Sequence, residues 1–140
     1  MPDPQPPSPE ALADTLSACA DALHRRLMRA LRQPTPDAPL PGISHPVAQA
    51  LFDSEVQLRQ RANLLYLDAA VQAGGHLAPQ RQALAELAAK AEQIIACVDR
   101  VKDLADLAGE LIGAGAAIAS GKPEHILSSL EKLKHHIEAL

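Results

Sequence analysis

The sequence predicts an all-α fold, an antiparallel bundle of four or five helices, and three observations indicate it. The chain of 140 residues contains 27 alanines and 21 leucines but one Phe, one Tyr and no Trp, a composition that favours helix over strand. Runs of Val, Ile and Thr that alternate with polar residues are missing. Apolar residues instead recur at spacings of three and four, as on a helix with one buried face.

The first helix is preceded by a proline-rich tail, residues 1–7, which we expect to be disordered. Ser8 then provides an N-cap, and Pro9 suits the first helical position. Helix 1 is predicted to run from Pro9 to about Arg32. The remainder of the chain, 8–140, is of a length expected to form one domain.

The second helix follows a linker, residues 33–43, whose prolines exclude a helix and predict a stiff connection. Pro46 suits the first position of helix 2. The helix is predicted to end near Ala73, because Gly74 and Gly75 stop it.

The third helix is predicted to start at Pro79 and to be unusually long. No proline follows before Pro123, so we expect a single helix of about 40 residues and roughly 60 Å. A kink near Asp103 or Gly109 is the alternative. The apolar stripe that supports one helix comprises Leu84, Leu87, Ala91, Ile94, Val98, Val101, Ala105, Ala108 and Ile112.

The stretch LAGELIGAGAAIASGKP, residues 107–123, admits three interpretations. A nucleotide-binding loop needs four residues between two glycines, followed by Lys and then Ser or Thr. Here five residues separate Gly115 from Gly121, and Pro123 replaces the hydroxyl residue. A membrane hairpin is disfavoured, because the uncharged segment 111–119 is too short to cross a bilayer.

Close helix packing explains this stretch better. Gly109, Gly113, Ala117 and Gly121 fall at four-residue steps and would form a ridge without large side chains. Because glycine within a helix costs up to about 1 kcal/mol relative to alanine, we expect a neighbouring backbone to approach this ridge closely. Gly121 then ends helix 3, and helix 4, predicted over Pro123–Ala139, folds back to form a close-packed hairpin.

Composition and charge argue against several classes of partner. The net charge is −4, whereas strong duplex binding needs many phosphate-neutralising Lys and Arg side chains. The scarcity of aromatic residues leaves little surface on which single-stranded bases could stack. The first ten residues lack the regions of a secretory signal, and no apolar run reaches the roughly 18 residues of a membrane span. We therefore expect a cytoplasmic protein with no nucleic-acid partner and without membrane contact.

The cysteines and histidines do not predict a catalytic or metal site. Cys19 and Cys97 lie at apolar helix positions, where we expect reduced, buried thiols; a disulfide between them is the alternative. Glu131 and His135 have the spacing of a solvated i, i+4 pair, which is commoner than a metal site. We expect no metal, no cofactor and no enzymatic activity.

The most informative feature is the placement of charge. Asp99, Asp103, Asp106 and Glu110 recur at spacings of four, three and four residues, which places four carboxylates on one helix face. A basic counterpart on helix 1 comprises Arg25, Arg26, Arg29 and Arg32. One interpretation is that both sets are solvated faces that pair within the bundle. The other is that the acidic face binds a basic partner, which would explain why mutually repelling charges are retained.

We therefore expect a protein-interaction module, such as an adaptor, a secretion chaperone, or an immunity or antitoxin protein. It would dock another protein with a basic surface through the acidic face, since charge complementarity speeds encounter and sharpens specificity. A structural homo-oligomer, such as a homodimer formed through the apolar stripe of helix 3, is one alternative. A binder of an apolar ligand or membrane surface is another.

Overall fold

The computed structural model describes residues 9–31, 45–72, 78–98 and 100–140, and every regular element within these ranges is an α-helix. The predicted all-α bundle is thereby confirmed, with five helices in the described ranges. They are α1 (Pro9–Leu31), α2 (His45–Gln72), α3 (Ala78–Cys97), α4 (Val101–Ser120) and α5 (Pro123–Ala139).

Proline marks the start of helices as the sequence predicts. Pro9 is the first residue of α1, and α2 begins at His45, directly before Pro46. Proline suits the first helical turn because its missing N–H would have no intrahelical acceptor there. The predicted tail, the predicted linker 33–43 and the Gly74–Gly75 stop lie outside the described residues.

Helices α1 and α2 pack against each other in antiparallel orientation. Near the start of α1, Asp14 accepts a hydrogen bond from the hydroxyl of Tyr66, which lies late in α2. Further along α1, His24 Nδ1 lies 2.8 Å from Oε1 of Glu55, which lies earlier in α2. Because the α2 number falls as the α1 number rises, the two helices run in opposite directions.

Helices α1 and α3 pack in parallel orientation. The thiol of Cys19 donates to the carbonyl of Ala88 at 3.2 Å. Further along both helices, Arg26 Nε donates to the carbonyl of Val98 at 3.1 Å. Because the α3 number rises as the α1 number rises, the two helices run in the same direction.

The prediction of a single long helix 3 is wrong. The helix is interrupted between Cys97 and Val101, where Arg100 has an extended backbone with φ −85° and ψ 122°. The interruption precedes Asp103, the earlier of the two positions at which the sequence allows a kink.

The arginines of α1 stabilise this interruption. Arg26 donates to Val98 O, and Arg29 Nη2 donates to Ala96 O at 2.7 Å. The last carbonyls of a helix have no intrahelical donor and need partners from elsewhere. Two cationic side chains therefore supply the hydrogen bonds that a continuing helix would have supplied.

Helix α4 reverses the direction of the chain. Gly115 lies about 21 Å beyond the start of α4 at the usual helical rise. A Cβ placed there would lie 3.5 Å from Leu16 Cδ1 and 3.6 Å from Arg61 Cβ. Since Leu16 lies well before Arg26 on α1, α4 runs back along α2, opposite to α3.

The hairpin between α4 and α5 forms where the sequence predicts it. Gly121 follows α4 with a left-handed backbone (φ 71°), and its N–H donates to Ile118 O at 3.2 Å. Glycine adopts this conformation without the steric cost that a Cβ would add. Pro123 begins α5, which packs on α4 and α3.

The core is built from aliphatic side chains that the helices share. The helices contact one another around a ring in the order α1, α2, α4, α5, α3, and α3 also contacts α4. Buried alanines fill the narrow places between larger side chains. The largest fully buried side chains are Leu12, Leu16, Leu23, Leu27, Leu51, Leu58, Leu65, Leu84, Ile95, Leu104, Leu107 and Leu111.

Candidate functional site

The predicted acidic residues lie along one edge of α4. Leu104, Leu107 and Leu111 are fully buried and fix the side of α4 that faces the core. Asp106 is exposed, whereas Asp103 and Glu110 are half-buried beside this apolar side. These three residues are called the acidic edge below. The fourth predicted carboxylate, Asp99, lies outside the described residues.

The acidic edge is little neutralised by the rest of the bundle. Glu110 Oε1 lies 3.9 Å from Nδ1 of His136 on α5, a contact at the limit of an ion pair. Within the described ranges, Asp103 and Asp106 form no ion pair within 4.0 Å. Their charges are therefore available to groups outside the bundle.

The basic residues of α1 have other partners. Arg26 and Arg29 donate to the carbonyls at the end of α3, while Arg25 is exposed and Arg32 is not described. The expectation that the acidic and basic sets pair within the bundle is thus not seen for these residues.

The predicted glycine ridge does not make the close packing contact. Gly109 and Gly113 are exposed, and a Cβ added at either would meet no heavy atom within 4 Å. The expectation is wrong for these two positions because they lie towards solvent, away from the leucine side of α4. Ala117 is buried, and Gly121 ends the helix. Among the described glycines, Gly115 is the one at which an added Cβ would contact neighbouring helices, through Leu16 of α1 and Arg61 of α2.

A cleft of about 350 Å³ lies between α4 and α5, where these small residues leave space. Its lining combines glycine and alanine residues with side chains that carry hydroxyl and imidazole groups. The hydroxyl of Ser120 donates to Ala117 O at 2.7 Å and accepts from the N–H of Lys122. The lining residues are Gly113, Ala116, Ala117, Ser120, His125, Ser128 and Ser129.

The acidic edge and the cleft form one continuous stripe on α4. The spacings between its members alternate between three and four residues, the pattern by which one helix presents a single face to another. One half of the stripe is anionic and the other half carries small side chains. Its members are Asp103, Asp106, Glu110, Gly113, Ala117 and Ser120.

A second cluster of charged groups joins α1 to α2. The side chain of Glu55 is nearly buried and accepts from Arg59 Nε at 3.0 Å, while its other oxygen contacts His24. The hydrogen bond of Arg59 to Asp21, together with that to Glu55, raises the pKa of Arg59, so the guanidinium stays charged. This cluster was not predicted from the sequence, although the i, i+4 spacing of Glu55 and Arg59 could have indicated one part of it. The charged groups of this cluster are hydrogen-bonded to one another, which favours a role in joining α1 to α2.

The two cysteines are free, and their environments differ. Burial, followed by the nearby charge of Glu92, raises the pKa of Cys19 to about 12. Because the thiolate is the reactive form, Cys19 is unsuited to act as a nucleophile near neutral pH. Cys97 is exposed rather than buried, because it lies on the outer side of the last turn of α3.

The described residues offer no evident metal site and no membrane span. No group of three or more His, Cys, Asp or Glu side chains in these ranges could hold a metal ion. None of the helices in the described part of the chain is both long and apolar enough to cross a bilayer. No protein-family model, curated protein or solved structure matches this chain.

Proposed function

We propose that this protein is a non-enzymatic interaction module that binds a Lys- or Arg-bearing segment of another protein along the stripe on α4. The observation that carries the proposal is the absence of an intramolecular ion pair at Asp103 and Asp106 in the described ranges. By contrast, Glu55 and Asp21 are each paired with Arg59. The described part of the bundle therefore pairs Asp21 and Glu55 internally and leaves Asp103 and Asp106 without an internal cation.

The cleft supports the same proposal and narrows the partner's chemistry. A side chain that enters between Gly113 and Ser129 meets little steric obstruction, because the α4 wall consists of glycine, alanine and serine. A helix laid along a stripe of this spacing presents residues at i, i+3, i+4 and i+7 to it. We expect a partner helix with basic side chains at one end and small or apolar side chains over the cleft.

The contribution of the acidic edge to binding follows from the exposure of its carboxylates. Exposed ion pairs contribute about 0.2–1 kcal/mol each, so three of them change the dissociation constant by roughly tenfold. Salt weakens such pairs, since the Debye length falls to about 3 Å at 1 M ionic strength. The remaining affinity would come from apolar contact in the cleft and would vary little with salt.

The decisive experiment neutralises the acidic edge without changing its shape. The variant Asp103→Asn, Asp106→Asn, Glu110→Gln is compared with the wild type in two assays. One is capture of partners from the source cell. The other is titration with a fluorescent helical peptide of Lys and Ala. We expect roughly tenfold weaker peptide binding and loss of the captured partner, with an unchanged helical circular dichroism spectrum.

A matched control uses three exposed carboxylates of α5. Glu124→Gln, Glu131→Gln and Glu138→Gln together make the same change in net charge at sites away from the stripe. Equal weakening by both triple variants would show that only net charge matters and would refute a site on α4. The proposal also fails if the wild type binds neither the peptide nor any cellular protein.

Capture would also identify the biological class. An adaptor, a secretion chaperone and an immunity or antitoxin protein differ in what they bind, and the recovered partner distinguishes them. The proposal includes a cytoplasmic location, which fractionation of the source cell would test.

A further inference from the structure

The interruption between α3 and α4 has no local cause in the sequence. No glycine or proline lies between Cys97 and Val101, although these residues are the usual helix breakers. The three-and-four spacing of apolar residues continues across the interruption through Ile94, Val98, Val101 and Ala105. Local sequence is therefore compatible with a single continuous helix.

Two side chains of α1 bind backbone carbonyls at the interruption. Arg29 donates to Ala96 O at 2.7 Å, and Arg26 donates to Val98 O at 3.1 Å. In a continuous helix these carbonyls would accept from the N–H groups four residues later, those of Arg100 and Lys102. In the interrupted helix the two arginine side chains take the place of these N–H donors, so their hydrogen bonds favour the interruption over the continuous helix.

We infer that the interruption is a hinge held closed by Arg26 and Arg29, and that two copies of this chain exchange their α4–α5 hairpins when it straightens. The straightened helix, Ala78–Ser120, would be about 63 Å long. In the exchanged dimer, α4 of one copy packs on α2 of the other with the contacts it makes in the monomer. Such exchange forms a dimer with few new contacts, and its free-energy cost depends mainly on the hinge.

The exchange carries the candidate binding stripe with it. The cleft lies entirely between α4 and α5, and these helices move together as one hairpin. The dimer therefore keeps two intact clefts, and it would engage a partner with two basic segments bivalently. This consequence rests on the proposed function, whereas the exchange itself does not.

The first variant removes the two donors but keeps the length of the side chains. In Arg26→Met, Arg29→Met, we expect the equilibrium constant that favours the closed hinge to fall roughly tenfold in each chain. The fall is no larger because one of the two charged donors is exposed and contributes less. Because two hinges open in each dimer, the association constant rises about 100-fold. Size-exclusion chromatography with multi-angle light scattering, after equilibration over a concentration series, measures this change.

A disulfide reporter distinguishes exchange from ordinary association. A Cβ at Gly115 would lie 3.6 Å from Arg61 Cβ, within the range that a disulfide spans. Arg61→Cys and Gly115→Cys are introduced with Cys19→Ala and Cys97→Ser. In the monomer the bond forms within one chain, whereas in the exchanged dimer it joins two chains, which a non-reducing denaturing gel resolves.

A third pair of variants locks the hinge. Val101→Pro places proline at the first position of α4, where it is tolerated, and Arg100 already has the extended backbone that precedes proline. Proline at 101 prevents a continuous helix. We expect Val101→Pro to abolish the dimer in the arginine variant, whereas the matched Val101→Ala retains it.

Three results would overturn the inference. They are an unchanged association constant in the arginine variant, dimers whose disulfides lie within single chains, and equal dimerisation of the proline and alanine variants. If the arginine variant does not fold, the proline and alanine variants are compared after refolding of the otherwise wild-type chain at high concentration. If the hairpins exchange, the alanine variant forms a dimer under these conditions and the proline variant does not.

Discussion

Replacing the exposed glycines of α4 should stabilise the protein. Gly109 and Gly113 lie within the helix, and a Cβ at either position meets no atom within 4 Å. Glycine within a helix is about 0.8–1.0 kcal/mol less favourable than alanine. Because no contact opposes the added methyl groups, the full difference should appear. Gly109→Ala, Gly113→Ala should therefore raise the free energy of unfolding by about 2 kcal/mol.

Urea denaturation followed by circular dichroism measures this change directly. We expect a higher midpoint with an unchanged slope, because the surface exposed on unfolding is nearly the same. In thermal unfolding, about 2 kcal/mol corresponds to a rise in Tm of roughly 8 °C for a chain of this size. The two methods should agree in sign and approximate size.

The refuting result is a loss of stability in the double variant. It would mean that a neighbouring backbone approaches Gly109 and Gly113, as the glycine spacing in the sequence suggests. Two single variants calibrate the comparison. Gly115→Ala places its Cβ 3.5 Å from Leu16 Cδ1, an ordinary contact, and should be tolerated. Gly121→Ala should cost about 1–2 kcal/mol, because its φ of 71° disfavours a side chain.

Three further predictions test the core, the thiols and the charged cluster. Leu107→Ala should cost about 2–5 kcal/mol in urea denaturation because the side chain is fully buried, whereas Leu127→Ala, at 60% exposure, should change stability by less than about 0.5 kcal/mol. At pH 8, a thiol reagent should modify Cys97 and leave Cys19 intact until the protein unfolds, and rapid labelling of native Cys19 would contradict its burial. Since folding raises the pKa of Cys19 from 9.0 to about 12, its contribution to stability is complete below pH 9. It is lost as pH rises towards 12, by up to about 1.4 kcal/mol per pH unit, so the wild type should lose stability more steeply there than Cys19→Ala. Glu55→Gln should lower the free energy of unfolding by about 1–3 kcal/mol, and an effect no larger than that of the same change at an exposed α5 glutamate would contradict its bridging role.

The features that the sequence predicted correctly depend on neighbouring residues. Pro9 and Pro123 mark helix starts because proline restricts its own backbone, and Gly121 ends α4 because it accepts a left-handed conformation. The leucine periodicity likewise indicates which side of each helix is buried. These effects act within a few residues, so a single sequence contains them.

The features that the sequence did not predict depend on distant contacts. The end of α3 is stabilised by Arg26 and Arg29, which lie about 70 residues earlier in the chain. Their hydrogen bonds to carbonyls carry no local signal, because a backbone oxygen is present at every position. The spacing of Asp103, Asp106 and Glu110 places them along one edge of α4, but whether their charges are paired could be read only from the surrounding helices.

The contacts between α1 and α2 also determine how these helices align. Two contacts form together only when α1 and α2 are aligned as they are here. One joins Asp14 to Tyr66, and the other joins His24 to Glu55. Sliding α2 by a single turn, about 5.4 Å, would separate both pairs. The alignment is therefore encoded in the interface itself, and the segment joining the helices need not specify it. Doubling the length of such a connection costs only about 0.6 kcal/mol. The chain between α1 and α2 is thus a place where insertion of a tag or another domain should be tolerated.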